Sequence, residues 1–396
     1  MTQSSRRPEV WAVGWGHTPF GRLEESLEDL IVRAARDALA SCAARGTEID
    51  EVYLGNFNSG MNPLGFASGL VAQADDDLRL TPATRVENAC ASGSAAVHQA
   101  IRSLWAGTAR TVLVVGAEKM TASSPREVGR ALLGADYDLA GQDSPVGFAE
   151  VFAEVAVAYG ERYGDVSDVL AAIAAKNHLN GLDNPWAHLR KDLGFEFCST
   201  VGTANPLVAS PLRRTDCSPV SDGAAALVLT TSDSPLAERA GAPVRIRGIG
   251  QAGDFLPRAR RDALEFAGAR AAWTRCTADA GITVDDLQFL EVHDCFTIAE
   301  LILYEVLGVA PAGQGRAVIE DGTVYAGGRL PVNRSGGLKA KGHPVGATGV
   351  SQHVMALLQL SGAAGAMQLP EPSLGGVFNM GGMAVANYAT ILERVS

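Results

Sequence analysis

The hydrophobic and polar positions of this chain alternate between the period of a helix and the short apolar runs of buried strands. Residues 26–45 place leucine, isoleucine and alanine along one helical face, and residues 148–180 continue a helical pattern. A third helix is predicted over Cys90–Ala106. Continuous apolar runs predict strands at Glu51–Phe57, Thr111–Lys119 and Asp222–Thr231. Helices that alternate with buried strands indicate an α/β fold, in which helices cover a sheet.

The same order of elements occurs twice along the chain. Residues 38–57 and residues 273–296 each contain the end of a helix, an aspartate-containing turn and a short strand. Further along each half, Cys90–Val97 aligns without gaps on His343–Val350. This self-similarity predicts two copies of one α/β unit. The alignment puts the cysteine and the histidine that open these two segments at equivalent helix N-termini, which a pseudo-twofold axis brings together.

Length, charge and cysteine usage narrow the class of protein. The 396 residues exceed one ordinary core, so two domains or a duplicated fold are expected. A net charge of −11 argues against nucleic acid as a general partner, and no apolar run is long enough to span a bilayer. Six cysteines without a CxxC pair indicate free thiols, which predicts a cytoplasmic protein.

The segment NACASGSAA, residues 88–96, surrounds Cys90 with alanine, serine and glycine. Small residues let two helices lie close together, and a helix N-terminus with a nearby imidazole lowers a thiol pKa from about 8.5 toward neutrality. These features predict a thiolate nucleophile at Cys90, with His343 as its activator. A small buried hydrophobic residue is the alternative interpretation of a lone cysteine, and the internal repeat favours the nucleophile.

A second polar group, HDCF at residues 293–296, lies where a predicted strand is followed by a helix. Side chains at the carboxyl end of a sheet strand are placed for a site, so His293 is predicted to donate to an oxyanion and Cys295 to move a proton. Zinc is the rival interpretation of a His-x-Cys pair. It needs two further ligands, for which His343 is the only other compact candidate, so no metal is expected.

Two glycine-rich stretches, Ser335–Gly349 and Phe378–Ala384, allow positive φ and close backbone approach. Their amide groups are candidates for an oxyanion hole. Neither stretch fits GxGxxG or GxxxxGK[ST], so nucleotide-binding loops of those kinds are not indicated. Tight helix packing is the alternative interpretation, and it is compatible with the functional one.

NACASGSAA, HDCF, NRSGGLKAKGHPVGATG and SPVSDGAAALVL together resemble the thiolase superfamily, specifically its sterol-carrier-protein-x type, over about Val10 to Arg394. KNHLNGLDNP, Lys176–Pro185, is similar to that subfamily's loop-domain segment. The resemblance implies the thiolase fold, a duplicated five-layer α-β-α-β-α arrangement with an inserted loop domain. The implied domains are an N-terminal half at residues 1–119 and 216–245, a loop domain at 120–215 and a C-terminal half at 246–396.

The resemblance also implies a role for each candidate residue. The implied catalytic residues are Cys90 as the acyl acceptor, His343 as its activator, His293 as an oxyanion donor and Cys295 as the acid/base cysteine. A second oxyanion hole is implied at the backbone amides of Cys90 and Gly381. Ordinary thiolases carry an acid/base cysteine in a CxG motif near the C-terminus, whereas this chain has Asn379 there.

Cofactor and partners follow from the same resemblance. Coenzyme A is implied as a cosubstrate, with no tightly bound cofactor. Implied partners are an acyl-CoA substrate, further copies of the chain in a homodimer or homotetramer and, as in some relatives, a small zinc-ribbon/OB-fold protein.

Three functions are open at this point. A thiolase cleaves 3-oxoacyl-CoA, or condenses acyl units, through an acyl-cysteine. A related carbon–carbon enzyme is the second: a C-acyltransferase or ketosynthase of secondary metabolism, or a retro-aldolase, although a retro-aldolase would not need the nucleophile. A non-catalytic lipid-binding or scaffold subunit, the third, would retain the fold alone, and the intact nucleophile and bases argue against it.

Overall fold

The computed structural model describes residues 7–395, and its strands follow the predicted apolar runs. The run at 111–119 forms a fully buried strand at 111–118, and the run at 222–231 forms one at 223–231. The strand predicted at 51–57 ends at Gly55. The strands are β1 Val10–His17, β2 Glu51–Gly55, β3 Ala83–Val86, β4 Thr111–Glu118, β5 Leu207–Ala209, β6 Leu212–Arg213, β7 Gly223–Thr231, β8 Val244–Gly253, β9 Phe289–Glu291, β10 Leu374–Gly381 and β11 Ala386–Arg394.

Helices occupy the predicted segments with shifted ends. The stretch at 148–180 is two helices, because Gly164, at φ +101°, ends the first of them. The helix predicted from Cys90 begins at Ser92. The helices are α1 Leu27–Ser41, α2 Ser92–Ala106, α3 Pro125–Leu133, α4 Ala149–Tyr163, α5 Ser167–Gly181, α6 Gly194–Ser199, α7 Pro235–Arg239, α8 Ala267–Ala280, α9 Thr297–Val306, α10 Ala317–Glu320, α11 Gly337–Lys341 and α12 Thr348–Ser361.

The order of the strands shows the duplication directly. The main sheet series runs β3-β2-β4-β7-β1-β8-β11-β10-β9, and β1 meets β8 at its centre in a short antiparallel pairing. On either side of this centre come two antiparallel pairings and then a parallel one. A parallel bridge from Leu290 to Val332 stands in the C-terminal half where β3 stands in the N-terminal half. The two halves therefore repeat one topology, as the sequence predicted.

The first strand of each half also contains a glycine that lets a helix pack closely against the strand. A Cβ at Gly16 would lie 2.1 Å from the carbonyl oxygen of Ala34 in α1, and a Cβ at Gly250 would lie 1.9 Å from that of Ala272 in α8. Such distances leave room for glycine alone, so the outer helix of each half lies directly on its strand. Helices α2 and α12 contact each other and the inner faces of the sheet halves, which completes the α-β-α-β-α layers.

The two central helices correct the predicted alignment. A Cβ at Gly93 would lie 2.9 Å from Val350 N, and a Cβ at Gly349 would lie 2.3 Å from Ser94 N. This reciprocity pairs Gly93 with Gly349, so the gap-free alignment is wrong by three residues and Cys90 corresponds to Gly346. The same turn precedes both helices in this pairing, since Ala91 N donates to Asn88 O and Ala347 N donates to Pro344 O, each at 3.0 Å.

Among the described residues, no helix is both long and apolar enough to cross a membrane. The segment between β4 and β7 contains α3 to α6 and the small β5–β6 hairpin. Its helix α4 packs on α9 of the C-terminal half, where Phe152 stacks on Phe296 at 4.7 Å between ring centroids. This segment therefore lies beside the HDCF residues.

Candidate active site

Cys90 lies in a tight turn between β3 and α2. Ser92 Oγ holds this turn, because it accepts from Asn88 N at 2.9 Å and donates to Ala89 O at 2.6 Å. Ala89 has φ +49°, a conformation that a small residue tolerates best. The nucleophile candidate therefore stands two residues ahead of the helix, partly exposed on the floor of a pocket.

Three predicted site residues converge in this pocket. The Cys90 sulfur and one ring nitrogen from each of His293 and His343 all lie within 4.8 Å of one another. The two imidazole rings meet edge to face, with 5.2 Å between centroids. His293 follows β9, whereas His343 comes from the loop between α11 and α12. The N- and C-terminal halves thus each contribute to one cluster.

The hydrogen bonds of His343 define its tautomer. Its Nδ1 lies 2.6 Å from Thr348 Oγ1, and that hydroxyl donates its own hydrogen to Pro344 O at 3.0 Å. The hydroxyl therefore accepts from His343 Nδ1–H. Nε2 of His343 is buried and has no hydrogen-bond partner among the residues that the structure describes, which leaves its lone pair free in the cluster with Cys90. His343 is thus arranged as a base.

His293 has the opposite tautomer because of Asn379. Nδ2 of Asn379 lies 3.3 Å from the Cys90 carbonyl oxygen and 2.8 Å from His293 Nδ1. A carbonyl oxygen only accepts, so the group facing it is the amide NH2, and His293 Nδ1 must accept as well. The proton of His293 then resides on Nε2. His293 is a hydrogen-bond donor, the form needed at an oxyanion.

Burial sets the resting charges of the cluster. It lowers the pKa of His343 to about 3, with a further contribution from Lys341, and it lowers the pKa of His293 well below 6.5. Burial also raises the pKa of the Cys90 thiol to about 12. The prediction of a resting thiolate is therefore wrong: desolvation outweighs the helix N-terminus, which begins two residues later. The cluster rests as a neutral thiol beside a neutral base.

Cys295 lies in the wall of the same pocket and is 6% exposed. Burial, followed by the proximity of Cys90 and Asp294, raises the pKa of its thiol well above 9. The backbone of Cys295 is fixed by a hydrogen bond from Ser218 N to its carbonyl oxygen at 2.9 Å. Cys295 is therefore a protonated group with access to the pocket.

The glycines that follow Asn379 supply backbone amides. Gly381 is the last residue of β10, and the amide of the next residue, Gly382, donates toward the Cys90 sulfur. Gly382 has φ +60° and lines the pocket. The second oxyanion hole at Cys90 and Gly381 stays a prediction, and Gly382 joins it as a candidate that the motif alone did not single out.

The cluster of Cys90, His293 and His343 also has the donor types of a zinc site. A histidine that binds metal through Nε2 normally donates Nδ1–H to an acceptor. The neighbour of His293 Nδ1 is instead the Asn379 NH2 group, a donor, which requires the proton on Nε2. The Asn379 NH2 group therefore leaves His293 Nε2 without a free lone pair for a metal, so the residues present do not fit a zinc ion.

Asp294 is a residue whose role the sequence analysis missed. Its carboxylate accepts from Leu338 N at 2.6 Å and from Lys339 N at 3.1 Å, at the start of α11. A Cβ at Gly337 would lie 2.2 Å from this carboxylate, which explains the glycine pair in NRSGG. Asp294 thereby ties the HDCF residues to the segment that leads to His343. The sequence signal that could have identified this role was the position of Asp294 between the candidate residues His293 and Cys295.

The motif KNHLNGLDNP acts on the same segment from the other side. Asn180 Nδ2 donates to the carbonyl of Asn333 at 3.0 Å, and Asn184 Nδ2 donates to that of Ser335 at 2.8 Å. Asn177 donates to Asp294 at 2.8 Å. These asparagines are buried, so each hydrogen bond replaces one that the side chain would make to water in the unfolded chain. Helix α5 and the residues that follow it therefore position the backbone ahead of His343.

The pocket above the cluster has a volume of about 320 Å³ and is lined mainly by apolar side chains. Its walls come from α3, from the loop ahead of α4 and from Phe296 after β9. Within residues 7–395, no lysine, arginine, aspartate or glutamate lines it. The site suits a neutral, apolar group that is held over a thiol, a base and a donor.

Family comparisons agree with this geometry. The model of the thiolase N-terminal domain matches residues 10–233, and that of the thiolase C-terminal domain matches residues 252–394. The chain belongs to the thiolase family. An acetyl-CoA acetyltransferase from Methanothermobacter thermautotrophicus is 35% identical over 391 residues, which cover 98% of this chain and 100% of that protein. This thiolase-family chain is an acyltransferase, as predicted.

Further relatives specify the type of thiolase. Sterol carrier protein 2 from Bos taurus is 30% identical over 403 residues, covering 96% of this chain and 71% of that protein. The predicted sterol-carrier-protein type is thereby confirmed. Among solved structures, one described as the Ltp2-ChsH2(DUF35) aldolase superposes with a TM-score of 0.82 at 21% identity, over 98% of each chain. That similarity supports the thiolase fold.

Proposed function

We propose that this thiolase cleaves and forms the carbon–carbon bond of 3-oxoacyl-CoA thioesters through an acyl group on Cys90. The observation that carries the proposal is the pair of opposite tautomers. His343 presents a bare Nε2 as a base, and His293 presents Nε2–H as a donor, within 4.8 Å of each other and of Cys90. One group removes the thiol proton while the other stabilises the oxygen that becomes negative.

The first half-reaction follows from the resting protonation states. The Cys90 sulfur attacks the 3-oxo carbon, and its proton moves to Nε2 of His343. The bond between the carbonyl carbon and Cα then breaks, and the enolate that leaves takes the proton of Cys295 at Cα. Acetyl-CoA departs, with the shortened acyl group on Cys90, a protonated His343 and a Cys295 thiolate.

The second half-reaction restores these groups. The thiol of coenzyme A attacks the acyl-cysteine and gives its proton to the Cys295 thiolate. The Cys90 sulfur leaves and recovers its proton from His343. Coenzyme A is therefore a cosubstrate, and the reverse sequence forms the carbon–carbon bond. Each oxyanion donor is worth about 3 kcal/mol of barrier, and His293 supplies one of them.

The test is acylation of the intact protein by 3-oxoacyl-CoA, followed by mass spectrometry and peptide mapping. The adduct is expected on Cys90 alone, and added coenzyme A should release it as a shortened acyl-CoA. Cys217→Ala, which changes another cysteine of the pocket, is the matched control and should acylate normally. An adduct that coenzyme A cannot release, but that another carbon nucleophile can, would instead support the C-acyltransferase alternative.

Self-association and a small partner belong to the same proposal. The solved structure described as the Ltp2-ChsH2(DUF35) aldolase includes a second component, so a small partner protein should be tested here as well. Light scattering of the purified chain should give the mass of a dimer or tetramer. Activity of the chain alone at full turnover would argue against a required small partner.

A further inference from the structure

Helix α3 contains a glycine that the helix itself does not need. Gly129 occupies the middle of Pro125–Leu133, where glycine is the poorest helix former after proline. Its φ is not in the positive range that favours glycine. A Cβ built at this position would meet no atom of the described residues within 4 Å. Neither backbone conformation nor close packing therefore accounts for the absence of a side chain.

The position of Gly129 supplies the reason. Gly129 lines the pocket above Cys90, and the opposite segment passes it with a second glycine, since a Cβ at Gly147 would lie 3.6 Å from Gly129 Cα. Two adjacent glycines thus leave one side of the pocket open. A side chain at Gly129 would occupy this space at no cost to the packing of the protein itself.

The pocket also has an aromatic wall. Phe148 and Phe296 both line it, and Phe152 connects them, with ring centroids 6.0 Å from Phe148 and 4.7 Å from Phe296. Phenylalanine rings offer a large apolar area for contact with a ligand. An acetyl unit fills about the volume of three waters, ~30 Å³ each. The pocket, at about 320 Å³, holds much more than that.

We propose that Gly129 sets the width of the acyl pocket and that Cys90 accepts uncharged acyl groups that carry a ring. This inference rests on the proposed function, because it assigns the acyl group of the same site. The glycine pair provides the space and the phenylalanine wall provides the contact. The described residues that line the pocket include no charged side chain, which disfavours acyl groups with a free carboxylate.

The experiment is a competition for Cys90 between acetyl-CoA and phenylacetyl-CoA in one tube, with the two adducts distinguished by mass. The wild-type protein should form both adducts. Gly129→Ala should lower the ratio of phenylacetyl to acetyl adduct by about 10- to 200-fold, the range for one methylene in an apolar pocket. Gly129→Leu should remove the phenylacetyl adduct while the acetyl adduct persists.

Gly160→Ala is the matched control, because Gly160 also lies inside a helix, α4, with no atom within 4 Å of its Cβ position, and it does not line the pocket. Both alanine variants should melt at or above the wild-type temperature, and only Gly129→Ala should change the adduct ratio. A lower melting temperature for Gly129→Ala alone, an unchanged ratio, or no phenylacetyl adduct on the wild type overturns the inference. Failure of both acyl-CoAs to label Cys90 contradicts the proposed function instead.

Discussion

Replacing Cys295 with alanine separates proton transfer from acylation. The thiol is protonated at rest because burial raises its pKa well above 9, and it lies in the pocket wall beside Cys90. In the proposed mechanism it gives this proton to the enolate in the cleavage direction. Asn379, which stands where ordinary thiolases have a cysteine, has no proton to exchange near neutral pH. The variant therefore keeps the nucleophile and the base but has no acid at Cα.

The size of the effect follows from this single loss. A general acid contributes a factor of about 100 to 10,000, or about 3 to 5 kcal/mol of barrier. The effect on folding is smaller, since removal of one sulfur atom from the wall of an existing pocket costs about 1 kcal/mol. Cys295→Ala should thus remain folded and turn over 100 to 10,000 times more slowly. Acylation of Cys90 by acyl-CoA should slow much less, because coenzyme A leaves as a stable thiolate and depends on proton transfer far less than a carbon enolate does.

Two assays distinguish the steps. Rapid quench followed by intact mass measures acylation of Cys90 by acyl-CoA, and steady-state cleavage of 3-oxoacyl-CoA measures turnover. Exchange of the Cα protons of acetyl-CoA in D2O reports the acid/base group directly and should disappear in the variant. Cys217→Ala is the control, since Cys217 lines the same pocket and burial raises the pKa of its thiol to about 12.

Turnover of Cys295→Ala within about threefold of the wild type would refute this assignment. The proton at Cα would then come from His293 Nε2–H or from water, and Cys295 would be a packing residue. Loss of acylation together with turnover would also refute it, because the two cysteines would not act in separate steps.

Two further predictions concern pH and backbone space. Because the pKa of His343 is lowered to about 3, the base stays neutral down to about pH 4, so acylation of Cys90 should be as fast at pH 5 as at pH 7. A histidine of ordinary pKa would be about 97% protonated at pH 5, and a rate that falls accordingly would contradict the lowered pKa of His343. Gly337→Ala should lower the melting temperature more than Gly362→Ala. Both residues have positive φ (+58° and +74°), but only a Cβ at Gly337 would lie 2.2 Å from the Asp294 carboxylate. Calorimetry should show an additional loss of about 1 to 3 kcal/mol in the free energy of unfolding for Gly337→Ala, and equal losses would show that the carboxylate moves freely.

The sequence by itself determined the architecture and singled out the candidate residues that the structure brings together in one pocket. Apolar runs such as Thr111–Glu118 must be buried wherever they lie, so their strand character needs no tertiary information. The internal repeat implied two equivalent halves, and small residues around Cys90 implied close helix packing. These are local or pairwise properties, which a pattern of residues records directly.

Only the tertiary structure decided the protonation states and the geometry of the site. The thiol pKa of Cys90 depends on desolvation by both halves of the chain, and the predicted helix effect was too small to compete with it. The tautomers depend on Thr348 and on Asn379, a residue from β10 that lies 289 positions away from Cys90. The role of Asp294 depends on the backbone of α11. Burial and hydrogen-bond direction are properties of the assembled fold, because they arise from residues that meet only after the chain has folded.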